Sequence, residues 1–240
     1  MKHVSKEIVI VDGTRTPYGS FGGGLKDMSA TDLGVESSRS LLKRTGISPE
    51  QVGHIIFGNA LQTSPDAIYL ARHIGMHLVV PKGVPAVTVN RLCGSGFESI
   101  LQAARHILLG EEEVILAGGA ESMSQAPHCV WGARWGDMRL ADGKLTDLLW
   151  TALTDSYAGC SMAQTAENLA DKYRISREAV DEYALRSQQL AEQAWQDGKM
   201  DEEVAPVTVT SRRGEQQVAK DEHIRPDTTL EKLAQLKPYF

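Results

Sequence analysis

Short apolar runs alternate with amphipathic stretches over the first half of the chain, and the alternation stops near residue 120. Ile8 to Val11 predicts a strand, ended by Asp12-Gly13. Leu33 to Leu42 repeats at helical spacing, with Ser29 or Thr31 placed to cap it and Gly46 placed to stop it. Ser48-Pro49-Glu50-Gln51 is a capping box that opens a short helix before the strand Ile55-Ile56-Phe57. Ser64-Pro65-Asp66 opens another helix through Ala71, Ala86 to Val89 reads as a buried strand, and Val114 to Ala117 is a fourth strand closing in Gly118-Gly119. Strands alternating with helices predict an α/β fold, a mainly parallel sheet with helices on both faces.

After residue 120 the texture changes. Residues 120 to 160 carry Trp131, Trp135 and Trp150 with many Met and Gly and no sustained period, which predicts a loop-rich excursion. Ala163 to Tyr173 and Arg177 to Gln196 then read as helices, the second with Ser176 as N-cap and Gly198 as stop. Val204 to Thr210 and Gln216 to Ala219, joined across Arg212-Arg213-Gly214-Glu215, predict a polar hairpin. The expected organisation is an α/β core over 1–120 and a mostly helical domain over 121–240.

Composition narrows the classes. The chain has 240 residues, 42% hydrophobic and 23% charged, enough for a packed soluble core. A net charge of −6 argues against a general nucleic-acid or membrane surface while allowing a local basic pocket for a phosphorylated ligand. Cys93, Cys129 and Cys160 have no metal-ligand spacing and suit reduced thiols. The first residues hold neither a signal-peptide apolar core nor an Arg-rich transit helix, and no apolar run is long enough to span a bilayer, so the cytoplasm is the expected compartment. Gly19, Gly22, Gly23 and Gly24 form neither nucleotide-loop pattern and read as a flexible turn.

The candidate chemistry sits at Cys93. The β-branched run Val87-Thr88-Val89 delivers it to a turn containing Gly94 and Gly96, and Phe97, Ile100, Leu101, Ala104 and Leu108 then recur at helical spacing. A thiol at a strand-to-helix junction meets the positive end of the helix dipole and unpaired backbone N–H groups, which favour its thiolate. The glycines let a bulky substrate approach the sulfur. Cys129 and Cys160 read as packing residues.

Four segments carry a resemblance. Val89-Asn90-Arg91-Leu92-Cys93-Gly94-Ser95-Gly96, Gly118-Gly119-Ala120-Glu121-Ser122-Met123-Ser124, Thr165-Ala166-Glu167-Asn168-Leu169-Ala170 and Arg225-Pro226-Asp227-Thr228-Thr229-Leu230-Glu231 resemble, in order, signatures of the thiolases. Asp66 to His73 and Ser124 to Pro127 look most like the 3-ketoacyl-CoA thiolase branch, with acetyl-CoA acetyltransferases close by. The resemblance implies a thiolase-like N-terminal half in which Cys93 attacks a 3-ketoacyl-CoA, releases acetyl-CoA and hands its acyl group to a second CoA, or the reverse condensation. A thiolate is both a good nucleophile and a good leaving group from a thioester, so the two-stage route is chemically apt. The region after residue 120 would then be a CoA-binding loop domain. By motif, Leu153 and Met162 align with positions that touch CoA, Arg225 and Thr228 with positions near its nucleotide end, and Phe240 with an aromatic beside it. Many relatives carry His before the position aligned with Met162, where this chain has Ser161.

The resemblance also implies something more. Family members continue past Lys237-Pro238-Tyr239-Phe240 into a second α/β half that supplies an Asn, a His from a G-H-P segment and a second Cys in a C-x-G-G-G motif. None of the histidines at 3, 54, 73, 77, 106, 128 and 223 lies in such a motif. The expectation is an N-terminal portion, truncated or a split subunit, whose partners are acyl-CoA and CoA together with a C-terminal thiolase half or further copies in a homo-oligomer. The alternative is a non-catalytic CoA-binding or assembly module, since chemistry without a general base is slow. A ketoacyl synthase relative fits the 163–170 and 225–231 segments poorly. No metal or dinucleotide cofactor is expected, CoA being a substrate.

Overall fold

The computed structural model describes residues 7–135, 142–211 and 214–238. It falls into two compact units, Met1–Ala126 with Glu202–Glu222, and Pro127–Asp201 with His223–Phe240. The first unit contains α1 (Ala30–Thr45), β1 (His54–Gly58), α2 (Leu70–His77), β2 (Ala86–Val89), α3 (Ser95–Leu109) and β3 (Ile115–Gly119). Its sheet is parallel, ordered β2-β1-β3, with Ile56 opposite Val87 on one side and Ala117 on the other.

Every residue of β1 is buried, as a central parallel strand covered on both faces requires. Ile55 and Phe57 pack with Val35, Leu70 and Ile74 of α1 and α2, whereas Ile56 packs with Val89 and with Ala103 of α3. Helices therefore cover both faces of the sheet, as the sequence pattern predicts. Ser29 caps α1: its hydroxyl accepts from the Asp32 N–H, and its own N–H donates to the Asp32 carboxylate. Gly46, at φ 71°, ends that helix in the left-handed conformation. Thr31 lies inside the helix and is buried.

The second unit is built from short pieces and two long helices. β4 (His128–Val130) pairs antiparallel with β5 (Leu145–Asp147), α4 (Leu148–Ala152) follows, and β6 (Thr154–Asp155) pairs with β7 (Cys160–Ser161). Next come α5 (Met162–Tyr173) and α6 (Arg177–Gln196), α6 being capped by the Ser176 hydroxyl. Back in the first unit, β8 (Val207–Ser211) and β9 (Gly214–Val218) form the hairpin. In the second unit, α7 (Leu230–Ala234) ends at carbonyls that Arg177 reaches, Nη2 lying 2.7 Å from Leu233 O.

Four expectations need correction. Ile8 to Val11 is not a strand: Val9, Ile10 and Val11 are exposed, and the first pairing in this part of the chain is the later bridge between Arg15 and Val204. Apolar residues alone do not make a strand when no neighbour takes their backbone N–H and C=O groups. The hairpin is not polar throughout, because Val207, Val209 and Val218 are buried with Leu25. That burial, with Arg15 Nη1 2.7 Å from Asp221 and Arg15 N 2.9 Å from Glu203 O, puts 202–222 in the first unit rather than in a block running from 121 to 240. The glycine-rich turn is tethered: Ser20 N and Gly24 N donate to the Glu222 carboxylate at 2.7 and 2.9 Å, and Gly22 N donates to Ser124 Oγ.

At the C-terminal end of the sheet, glycine lets strand and helix meet. A Cβ on Gly58 would lie 2.5 Å from the backbone carbon of Ser95, and one on Gly119 would lie 3.5 Å from Gly96 Cα. Here too Glu121 draws in the chain after β1. Its carboxylate accepts from the Asn59 side-chain amide at 2.7 Å, from Ala60 N at 2.9 Å and from Leu61 N at 3.2 Å. Burial raises the Glu121 pKa, and those three donors pull it the other way without cancelling the shift.

Gly58→Ala should destabilise the chain by about 1–3 kcal/mol, because the backbone at Ser95 has to move to admit a methyl group; urea denaturation measures it. A raised pKa in the folded state means that Glu121 binds its proton more tightly folded than unfolded. Its stability contribution is therefore full below the ordinary carboxylate value of 4.5 and is lost as pH rises through the higher folded value. Glu121→Gln does not titrate, so its stability relative to wild type should improve as pH rises through that window. An offset that stays flat with pH in the same denaturation series would contradict the assignment.

Candidate active site

Cys93 is exposed and stands one residue before Gly94, the N-cap of α3. The turn that presents it is held residue by residue. Asn90 Oδ1 accepts from Leu92 N at 2.9 Å, an Asx turn that supports Leu92 at φ 49°. Gly94 N donates to Arg91 O and Ser95 N to Leu92 O, each at 3.0 Å. The Ser95 hydroxyl then clasps the turn from inside, donating to Leu92 O at 2.6 Å and accepting from Arg91 N at 2.9 Å.

Why α3 starts here is visible in its residues. Gly94 brings no side chain to cap the helix, so no side-chain oxygen takes up a first-turn N–H group, although Ser95 N is already bonded to Leu92 O. Ser95, Ser99 and Ala103, spaced by one helical turn each, form the buried face against β1 and β3. The apolar positions predicted to define the helix point elsewhere: Phe97 is 75% exposed and Ile100, Leu101 and Leu108 are exposed too. Small residues rather than large ones dock α3, because the glycine-lined sheet end leaves little distance to fill.

One turn into α3, Glu98 lies 2.6 Å from the Arg91 guanidinium and 3.3 Å from that of Arg105. Its hydrogen bond with Arg91, backed by Gln102, holds the Glu98 carboxyl below the ordinary range. That negative charge is thus paired rather than facing the thiol alone. Cys129 and Cys160 are half-buried, and Cys160 Sγ lies 3.6 Å from the Thr165 hydroxyl.

The remaining predicted positions belong to the second unit. Leu153 is the C-cap of α4 and Met162 the first residue of α5; both side chains are exposed, and Met162 N donates to Leu153 O at 2.9 Å. The structure thus brings these two together. Ser161 caps α5 by accepting from Gln164 N at 3.1 Å. Arg225 is exposed, with its backbone N–H anchored on Gln188 Oε1 at 2.7 Å. The Thr228 hydroxyl donates to Arg225 O at 2.7 Å, which closes the turn between them. Phe240 lies outside the described residues.

Sequence reasoning missed the contributions of Asn59, Asn90, Ser95 and Glu121. An Asn two residues before Leu92 is an Asx-turn signal that was available. The Glu121 contacts join residues about sixty positions apart and leave no local pattern. Among the described residues, no group of three His, Cys, Asp or Glu side chains is placed to hold a metal ion, and no helix is long and apolar enough to cross a membrane.

Comparison with known proteins agrees with this architecture. The profile of the thiolase N-terminal domain matches residues 8–240. The human mitochondrial 3-ketoacyl-CoA thiolase is 50% identical over 233 residues, covering 97% of this chain and 59% of that protein. A crystal structure of the human enzyme in complex with CoA superimposes with a TM-score of 0.91 at 50% identity, covering 96% of this chain and 57% of that one. An acetyl-CoA acetyltransferase from Bacillus anthracis gives a TM-score of 0.92 at 41% identity, covering 97% and 58%. The chain spans about three-fifths of the length of the curated relatives it matches. On that match and identity the chain belongs to the thiolases, matching their N-terminal domain.

Proposed function

We propose that this chain carries the nucleophile of an acyl-CoA acyltransferase, a thiolase, and that Cys93 forms the acyl intermediate. The observation that supports this most is the exposed thiol at the start of α3, which no side chain caps. In the cleavage direction, Cys93 Sγ bonds to the β-keto carbon of a 3-ketoacyl-CoA. The bond between the α and β carbons breaks, and the electron pair stays on the acetyl-CoA fragment, which takes up a proton. The thiolate of a second CoA then attacks the acyl carbon, the bond to Cys93 breaks, and a shortened acyl-CoA leaves. Backbone N–H groups at the start of α3 are suited to the oxyanion formed in each attack. The reverse sequence condenses two acyl-CoA molecules.

The proton transfers require a base near Cys93, and we assign that base to a C-terminal thiolase half. Phe97, Ile100, Leu101 and Leu108 give α3 an exposed apolar side that such a half would cover. CoA would lie along Leu153 and Met162 with its phosphorylated end toward Arg225 and Thr228; a human relative has been crystallised with CoA. Arginine suits that end through its paired donors. We assign the chain to the cytoplasm on its three separate thiols, the human relative being named mitochondrial. A CoA-binding module without chemistry is the competing reading, and acyl transfer to Cys93 separates the two.

Thiolysis of acetoacetyl-CoA by the purified chain, with and without an added C-terminal thiolase half, is the test. Turnover should require the added half, and Cys93→Ala should lower it by on the order of 10³-fold or more. Full activity of Cys93→Ala would remove Cys93 from the mechanism. Arg225→Ala should weaken CoA binding by about tenfold in calorimetry, the loss of one charge-assisted phosphate contact. Unchanged affinity would move the nucleotide end elsewhere.

A further inference from the structure

Leu92 is one of three non-glycine residues with positive φ among the described residues, and it immediately precedes the nucleophile. A leucine at φ 49° needs outside support, since its Cβ crowds the carbonyl in that region. Its N–H is held by Asn90 Oδ1 at 2.9 Å, so the conformation depends on where the Asn90 side chain points. The other end of that amide decides the direction: Asn90 Nδ2 donates to Ala60 O at 3.0 Å. Ala60 in turn is fixed by Glu121, whose Oε2 accepts from Ala60 N at 2.9 Å while Oε1 accepts from Leu61 N and the Asn59 amide. Asn59 and Ala120 also lock the strands around it, through Asn59 N to Val89 O and Ala120 N to Gly58 O, both at 3.1 Å.

These contacts form a continuous chain from Glu121 to the Leu92 N–H, one residue before the thiol. We propose that Glu121 is a positioning residue for Cys93: its carboxylate gathers residues 59–61, the Ala60 carbonyl orients Asn90, and Asn90 sets the left-handed turn at Leu92 that presents the cysteine. The inference rests on Cys93 being the nucleophile. It assigns a purpose to two motif residues, Asn90 and Glu121, whose side chains bond backbone and Asn59 groups around the turn. A half-buried carboxylate with three N–H donors is a rigid anchor, because each donor lost leaves a charged acceptor under-satisfied.

The test measures two things on the wild-type chain, Glu121→Gln and Asn90→Ala: exchange of the Leu92 amide proton by NMR, and the alkylation rate of Cys93 by iodoacetamide, followed peptide by peptide beside Cys129 and Cys160. Gln keeps one acceptor but turns an NH₂ group toward a donor, so residues 59–61 should loosen. Glu121→Gln should then speed Leu92 exchange and shift the Cys93 rate by about threefold or more, with Cys129 and Cys160 unchanged; this is a small part of the roughly 10²-fold that a 1 Å misplacement costs an oriented reaction. In Asn90→Ala the link is already cut, so adding Glu121→Gln should change Cys93 no further. If Glu121→Gln disturbs only Ala60 and Leu61 while Leu92 and Cys93 keep wild-type behaviour, Glu121 is a structural tie and the proposal is overturned. Should Glu121→Gln fail to fold, Asn90→Ala alone decides, since a wild-type Cys93 rate in that exposed-site variant also overturns it. A wild-type Cys93 no more reactive than Cys129 and Cys160 would instead refute the nucleophile reading, and Leu92 exchange would still report on the relay.

Discussion

The separation between α3 and the sheet end is the constraint on which the rest of the first unit depends. At Gly58 a single methyl group would meet the Ser95 backbone at 2.5 Å, so helix and strand are already in contact there. That contact fixes where α3 begins, and where α3 begins fixes where Cys93 stands. It also explains the composition of the helix's buried side, where Ser95, Ser99 and Ala103 occupy positions that in a looser packing would be large and apolar. Polar side chains are acceptable there because each hydroxyl turns back on its own chain: Ser95 Oγ reaches Leu92 O, and Ser99 Oγ reaches Gly96 O at 2.7 Å.

Local signals were legible and long-range ones were not. The caps at Ser29 and Ser176, the stop at Gly46 and the buried run of β1 all follow from residues within a few positions of one another, and each was readable from sequence. The junction of strand, cysteine and helix was readable for the same reason. The extended run Ile8 to Val11 was misread because a strand is defined by its neighbour, which the run itself does not specify. The hairpin's place in the first unit depends on Val207 and Val218 meeting Leu25, almost two hundred residues earlier. The glycine-rich turn looked free for a similar reason, since Glu222 lies far along the chain from the amides it holds.

The two units differ in how they are held. The first has clusters of buried aliphatic residues on both sides of a sheet. In the second, capping and ion pairing carry more of the description: Asp147 accepts from Leu149 N, Ser161 and Ser176 cap α5 and α6, and Arg177 joins Asp181 at 2.9 Å while reaching the carbonyls of Leu233 and Leu236. Each cap contributes about 1 kcal/mol, and the Arg177–Asp181 pair is sheltered on its Asp181 side, so these interactions fix helix ends and directions locally. Leu153, Met162 and Trp150 are among the exposed apolar groups of this unit.

Helix α3 combines both patterns, and this bears on chemistry. Its sheet side is closed by small residues and its opposite side displays Phe97, Ile100, Leu101 and Leu108. A helix apolar on the side away from its own sheet belongs to an interior, since a helix facing water carries polar groups there. Covering that side would exclude water from the flank of the turn holding Cys93, and charges and dipoles act more strongly where water is excluded. In the reaction proposed for Cys93, the start of α3 would then act most strongly on the oxyanions formed there. Under the proposed reaction, burial of that apolar side would also strengthen the dipoles at the start of α3, so packing and the proposed chemistry make one demand on this helix rather than two.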